Sequence, residues 1–248
     1  MKSILIIGLL IVGITSQAQT KIEKSVAVKP GQKLSLNFED PNLIKLHTWD
    51  KNEVIIKGSV SINNGENDAA FQIEVSQAGN TTTVSSVLKD KENIPRRIVI
   101  KKGDTEYFFK AKDNNDPAIQ KFLDENGHDY TYMSHGIIKD IELEIFVPKG
   151  MDTRIESKFG LIEVKDFQAP LVAISKFGGI DASIVKSSTG ELTARTQFGE
   201  ILTNLDVKFD DNREKDHDKH WTVVSAKPGA GHRYDLESKF GKVYLRKP

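Results

Sequence analysis

Along the last hundred residues apolar and polar positions alternate, and the alternation resets at fixed intervals. Gly160, Gly178, Gly199 and Gly241 mark the resets, spaced 18, 21 and 42 residues apart, so the last gap is twice the one before it. Aligned on these glycines, the chain falls into columns. Seven residues before stand Thr153, Leu171, Leu192 and Tyr234; five before, Ile155, Ala173, Ala194 and Leu236. Three before stand Ser157, Ser175, Thr196 and Ser238; one before, Phe159, Phe177, Phe198 and Phe240. Two after come Ile162, Ile180, Ile201 and Val243; four after, Val164, Ala182, Thr203 and Leu245. The residues between the columns are mostly charged, among them Arg154, Glu156, Lys158, Glu163 and Lys165. A period of two predicts strands with one buried and one wet face.

A repeat near 20 residues is too short for a crossover helix. It predicts an all-β chain, a β-solenoid of stacked roughly 20-residue coils. Each coil reads as strand, glycine corner, strand and short turn. The corner is expected to use the freedom of glycine to adopt positive φ. The structural repeat is then carried by Phe159, Gly160, Phe177, Gly178, Phe198, Gly199, Phe240 and Gly241. Stacking would superpose the phenylalanines and bury them as one column, each stabilising by about 1.5–3 kcal/mol. The inward Ser157, Ser175, Thr196 and Ser238 need hydrogen-bond partners along the stack. A catalytic serine is disfavoured, because the hydroxyl recurs in every coil with no His or acid recurring beside it. The double-length gap is expected to hold one degenerate coil and a loop.

The first half alternates less regularly. Leu34, Leu36 and Phe38, then Ile44 and Leu46, then Val54 to Ile62 predict divergent N-terminal coils over residues 19–87. Gly79-Asn80 predicts a hairpin turn. Residues 88–138 break the rhythm and read as an insertion or cap. A hairpin is expected around Lys102-Gly103-Asp104. A short helix should open at Asp116-Pro117, with Asp as cap and Pro in the first turn, and close at Gly127. Its apolar face is Ile119, Phe122 and Leu123. His128, Tyr130, Tyr132 and His135 beyond it are expected to pack on the underside of the insertion, with a ligand platform as the sharper alternative. Residues 139–248 hold the regular solenoid repeats.

Residues 1–18 carry Lys2, an apolar run from Ile4 to Ile14, and small residues at Ser16 and Ala18. That is the pattern of a cleaved signal peptide, too short for a membrane span. The expected product starts at Gln19 and is exported, to the periplasm or cell surface of a Gram-negative bacterium. With no cysteine at the cleavage site it is not a lipoprotein, and no spanning segment follows.

Composition adds exclusions. The 35 Lys and Arg balance the 35 Asp and Glu, which argues against a nucleic-acid partner. The absence of cysteine excludes a disulfide scaffold, a thiol nucleophile and a cysteine-ligated cluster. Asp210 to His220 has no apolar residue, and Asp211, Asp216, His217, Asp218 and His220 could ligate a cation. Their spacing fits no zinc or calcium motif, so a solvated loop is expected, with no metal or cofactor.

The stretch from Leu43 to Gly58 with its Trp49-Asp50 turn, the Ile145-to-Gly150 strand ending in Val-Pro, and the Phe-Gly-x-Ile repeats resemble the bacterial adhesin-like β-solenoid family. That family is a domain of unknown function in exported proteins of Bacteroidota-type bacteria. The resemblance covers most of residues 30–87 and 139–248. Many members have Asn-Gly or Asp at the corner where this chain has Phe-Gly. The resemblance implies a non-enzymatic envelope protein, structural or adhesin-like, with an unknown protein or glycan partner; it supplies no catalytic residues. A carbohydrate- or metal-binding module using Trp49 and Trp221 is the competing reading. A carbohydrate-active enzyme is disfavoured, since Glu163, Asp181 and Glu200 form no single column. Self-association through a C-terminal strand edge at Val243-Tyr244-Leu245 is a further expectation.

Overall fold

A computed structural model describes residues 19–211 and 220–248. Its strands, in chain order, begin with β1 (Thr20–Ala27), β2 (Lys33–Phe38), β3 (Leu43–Trp49), β4 (Glu53–Ile62), β5 (Phe71–Ala78) and β6 (Thr81–Leu88). There follow β7 (Arg97–Lys102), β8 (Thr105–Phe109), helix α1 (Pro117–Asn126), β9 (Tyr132–Gly136) and β10 (Lys139–Pro148). The repeats give β11 (Thr153–Ser157) and β12 (Leu161–Val164), β13 (Leu171–Ser175) and β14 (Ile180–Ser183), then β15 (Thr189–Thr196) and β16 (Ile201–Thr203). The chain ends with β17 (Asp210–Asp211), β18 (Thr222–Ala226), β19 (His232–Ser238) and β20 (Val243–Arg246).

The chain is all-β apart from α1 and two 3-10 turns. Two sheets share one core. One runs β1-β4-β10-β3-β12-β14-β20-β16; the other runs β17-β18-β15-β19-β13-β11-β2-β6-β5. Five strand–corner–strand units bridge them: β2/β3, β11/β12, β13/β14, β15/β16 and β19/β20. Neighbouring units pair in parallel and in register, Ile155 with Leu36 and Ala173, Ile162 with Ile44 and Ile180. Inward columns therefore meet like with like, and Leu36, Ile44, Ile155, Ile162, Ala173, Ile180, Leu236 and Val243 are all buried. In the first half only β2/β3 makes such a unit; β1 pairs antiparallel with β4, β4 with β10, and β5 with β6 around Gly79.

The order of units in space departs from their order in sequence. β19 lies between β13 and β15, and β20 between β14 and β16. The last unit of the chain thus fills a slot that the third and fourth units leave between them. Two expectations are overturned. Val243-Tyr244-Leu245 is an interior strand rather than an open edge, because both of its sides are paired. The double-length gap holds no degenerate coil among its described residues: β17 and β18 pair antiparallel, and β18 runs antiparallel along β15. That flap covers the end of one sheet, while β16, three residues long, ends the other. A short edge strand limits uncontrolled pairing. The charged run at 212–219, with Asp216, His217 and Asp218, lies outside the described residues, as does the 1–18 segment.

Tyr234 is the largest fully buried side chain. Its hydroxyl donates to the Phe167 carbonyl, and the Phe167 ring meets it edge-on at 6.3 Å between centroids. Burial pushes the phenol from 10.0 up to about 12. The folded chain therefore keeps the proton where the unfolded chain has lost it. Stability from this group is full below pH 10 and should fall by about 1.4 kcal/mol per pH unit between 10 and 12. Urea titrations at pH 9, 10.5 and 12 should show that loss, and it should be absent in Tyr234→Phe.

Residues 97–136 build a second small core. β8, β7 and β9 form an antiparallel sheet, and α1 packs Ile119 and Leu123 against Ile98, Ile100 and Ala111. The Asp116 carboxylate accepts from Ala118 N–H at 3.0 Å, and Gly127 ends the helix at φ +77°. Tyr130 and Tyr132 do not pack beneath this element: both are exposed, and the Tyr132 hydroxyl donates to Glu106 on the solvent side. The period-two register puts Tyr132 opposite Lys101, on the face away from α1. Arg97 and Lys110 both pair with Glu66, tying this element to the loop after β4.

Candidate functional site

The corner between the two sheets carries the feature that stands out from the surface. In each of the last four units, strand ends are joined by a basic or amide residue, a phenylalanine and a glycine. Backbone hydrogen bonds continue around this bend. Lys176 N–H donates to Ser157 O, Phe177 N–H to Lys158 O, Lys239 N–H to Ser175 O and Phe240 N–H to Lys176 O, all at 2.9–3.0 Å. The bends are therefore held in register like the strands.

Glycine is needed here for closeness, not handedness. None of the four corner glycines lies in the positive-φ region. Instead a Cβ on Gly178 would fall 2.3 Å from Gly160 O, on Gly199 2.0 Å from Gly241 O, and on Gly241 1.5 Å from Gly178 O. The inward hydroxyls lock the same contacts. Ser238 Oγ accepts from Gly241 N–H at 3.0 Å and donates to Gly178 O at 3.1 Å in the neighbouring unit. Thr196 does the same with Gly199 N–H and Gly241 O, both at 3.1 Å. Ser157 accepts from Gly160 N–H at 3.0 Å, and Ser175 reaches Gly160 O at 3.4 Å. These hydroxyls are engaged by backbone and bonded as the buried-polar rule requires.

The phenylalanines stack as expected but are not buried. Phe159, Phe177, Phe240 and Phe198 are 43–57% exposed. Their centroids follow one another at 5.4, 5.2 and 5.0 Å, with ring planes within 15° of parallel. Alternation fails at a bend: once glycine backs onto the next unit, the residue before it must point out. The stabilisation per ring is correspondingly about half the buried value, plus roughly 0.5–1.5 kcal/mol from stacking. Beside the rings runs a row of lysines. Lys158, Lys176 and Lys239 place Nζ 5.2, 5.2 and 5.4 Å from the centroids of Phe159, Phe177 and Phe240.

One end of this ladder was hidden by its sequence. In the first unit Phe38 pairs with Ser157, so Glu39 and Asp40 occupy the lysine and phenylalanine positions. Asp40 is buried and pairs with Lys139 and Lys91. Lys139 in turn sits 5.8 Å from the Phe159 centroid, terminating the aromatic stack with a cation. Lys158 pairs with Glu39 at 2.6 Å, and that hydrogen bond holds the Glu39 carboxyl below its ordinary value. Aligning Pro41 with the corner glycines would have exposed this terminus, since a Cβ on Gly160 meets Pro41 O. Among the described residues Lys176 and Lys239 have no ion-pair partner.

Other candidate chemistry is engaged elsewhere. Glu163 and Asp181 are paired in register on adjacent strands, but Glu163 binds Lys165 and Asp181 binds Arg246 at 2.7 Å. Glu200 binds Lys242 at 2.8 Å. Trp49 donates its indole N–H to Glu53 O, and Trp221 lies under Arg195. No group of metal-ligating side chains is found among the described residues.

No family model matches this chain, and no curated protein does. Two solved structures share a partial likeness. A candidate cell adhesion protein from Clostridium sporogenes aligns over 93% of this chain and all of its own, at 10% identity and a TM-score of 0.49. A candidate adhesin from Bacteroides fragilis aligns over 94% of this chain and 99% of its own, at 10% identity and a TM-score of 0.22. Likeness at that level carries no argument about function. No helix of the described residues is long and apolar enough to cross a membrane.

Proposed function

We propose that this chain is an exported, non-enzymatic protein of a bacterial cell envelope, working as a β-solenoid interaction scaffold. The observation that carries the reading is the corner ladder. Four half-exposed phenylalanines, and two lysines with no ion-pair partner among the described residues, stand in line on a hydrogen-bonded frame. A row of large exposed apolar groups on a rigid support marks a surface built to meet a partner. The signal-like segment at 1–18 supports export. The engagement of Ser157, Ser238, Glu163, Asp181 and Glu200 by backbone or cations supports a role in binding rather than catalysis.

The test is photocrosslinking in living cells, with a photoreactive phenylalanine analogue at Phe177 or Phe198 and, as a control, at Lys57 on the opposite sheet. Adducts are expected from the ladder positions in the envelope fraction, on a chain that begins at Gln19. Recovery of unprocessed chain in the cytoplasm, or equal adducts from Lys57, would overturn the reading.

A further inference from the structure

A groove of about 480 Å³ runs beside the ladder, along the stack and across the strands. Its walls include Asn37, Ser85, Ser86, Ile174, Lys176 and Lys239. The acids that also border it are already neutralised. Glu39 pairs with Lys158 and Lys91, Glu156 with Arg154 and Glu237 with Arg195. The lysine row is thus left with uncompensated positive charge at Lys176 and Lys239.

From this juxtaposition we propose that the groove and the lysine row bind a linear acidic polysaccharide, a chain of uronate-type sugars lying along the stack. The proposal rests on the scaffold reading above and gives that scaffold its ligand class.

Three observations select this occupant. The first is charge. Phe177 and Phe240 have both faces covered by neighbouring rings, so what they offer solvent is their edges. Ring edges carry the positive part of the aromatic quadrupole. Ring edges and ammonium groups both favour carboxylates, and neither offers a neutral sugar the flat face it would stack on. The second is alignment. Lys158, Lys176 and Lys239 stand on three adjacent units, at the strand spacing of about 4.8 Å, in a line that a linear polyanion can follow. The third is shape. The cations form a single row, and the strands beside it carry Glu156 and Glu237. A single row beside a groove suits a narrow chain and gives a flat anionic bilayer few cations to meet. Asn37 and Ser85 supply the groups that sugar hydroxyls need.

The test is calorimetry on the mature chain with oligogalacturonate and with the same oligomer methyl-esterified, which keeps the sugars and removes the charge. Polyglutamate and phosphatidylglycerol vesicles are run alongside. The acidic oligomer should bind, weaken with salt, and lose at least tenfold in affinity in Lys176→Gln/Lys239→Gln. The double variant Lys24→Gln/Lys57→Gln, on the far sheet, should bind as the parent does. Lys24, Lys57 and Lys176 are exposed and Lys239 is half-buried, and melting curves confirm that each variant is folded. No binding, equal binding of the ester, equal or tighter binding of polyglutamate or vesicles, or no response to the Lys176/Lys239 change would overturn the assignment. Ladder-specific crosslinks in cells combined with no binding to the acidic oligomer would refute the sugar and keep the scaffold. Sugar binding without those crosslinks would do the reverse.

Discussion

Replacing Gly241 with alanine should abolish the native stack. The added Cβ would fall 1.5 Å from Gly178 O and 2.4 Å from its carbonyl carbon. Neither atom belongs to a flexible side chain that could move aside. Gly178 is itself held against Gly160, and Gly199 leans on Gly241 from the other side, so the shift would have to pass through three units at once. Overpacking costs about 1–3 kcal/mol where neighbours can yield. Here they are backbone held in ladders on both sides, and a loss of at least ~4 kcal/mol is expected. Against a usual total of 5–15 kcal/mol, that is a large share. Gly31→Ala is the control: a Cβ there meets nothing within 4 Å, and its φ of +80° alone should cost about 1–2 kcal/mol. Circular dichroism and denaturant titration of the two variants measure the difference. A Gly241→Ala protein as stable as Gly31→Ala would show that the units are less closely pressed than described.

Ending the chain after residue 231 should have an even larger effect. The deletion removes β19 and β20 from the middle of the stack, not from its end. Tyr234, Leu236, Val243 and Leu245, all fully buried, are lost together. At about 1.5–3 kcal/mol each, their burial alone contributes on the order of 6–12 kcal/mol. Three strands, β13, β14 and β15, would each be left with one newly unpaired side, and β16, at the end of its sheet, with no partner at all. Open edges of that kind pair with whatever strand they meet, so the truncated chain is expected in the insoluble fraction. Adding a peptide of residues 232–248 during refolding should restore soluble, folded protein, because the slot it fills is specific in register. Soluble, folded truncated chain without the peptide would mean that the third and fourth units can close on each other.

Much of this arrangement could be read in the sequence. The columns through Ile155, Ser157 and Ile162 correspond residue for residue to the strand register, and the serines make the backbone contacts that their inward position demands. The helix at 117–126 follows from Asp116, Pro117 and Gly127. What could not be read has two physical sources. Alternation assigns a face only while the strand is straight, so Phe159 and its counterparts were placed inward although the bend turns them out. And units with equivalent columns can pair with any neighbour, so periodicity is silent on their order. A faint signal existed: Thr203 stands where the other units have Val164, Ala182 and Leu245, and an exposed Thr suits the outermost strand. Of the ladder, the phenylalanines and lysines were visible in the repeat. Its terminus at Asp40 and Lys139 was not, because it depends on a unit with no glycine.

The interior position of the last unit also bears on how the molecule would respond to mechanical load. β1, next to the chain start, is the outer strand of its sheet and is held by one neighbour, β4. Tension there can peel one ladder bond by bond. The tail is anchored differently. β19 and β20 are each flanked on both sides, and tension on Arg246 loads the two ladders of β20 together, along the strand direction, before it reaches the two of β19. Rupture from that end requires many hydrogen bonds to fail in concert. Held by its tail, this protein should withstand far more force than when held by its head.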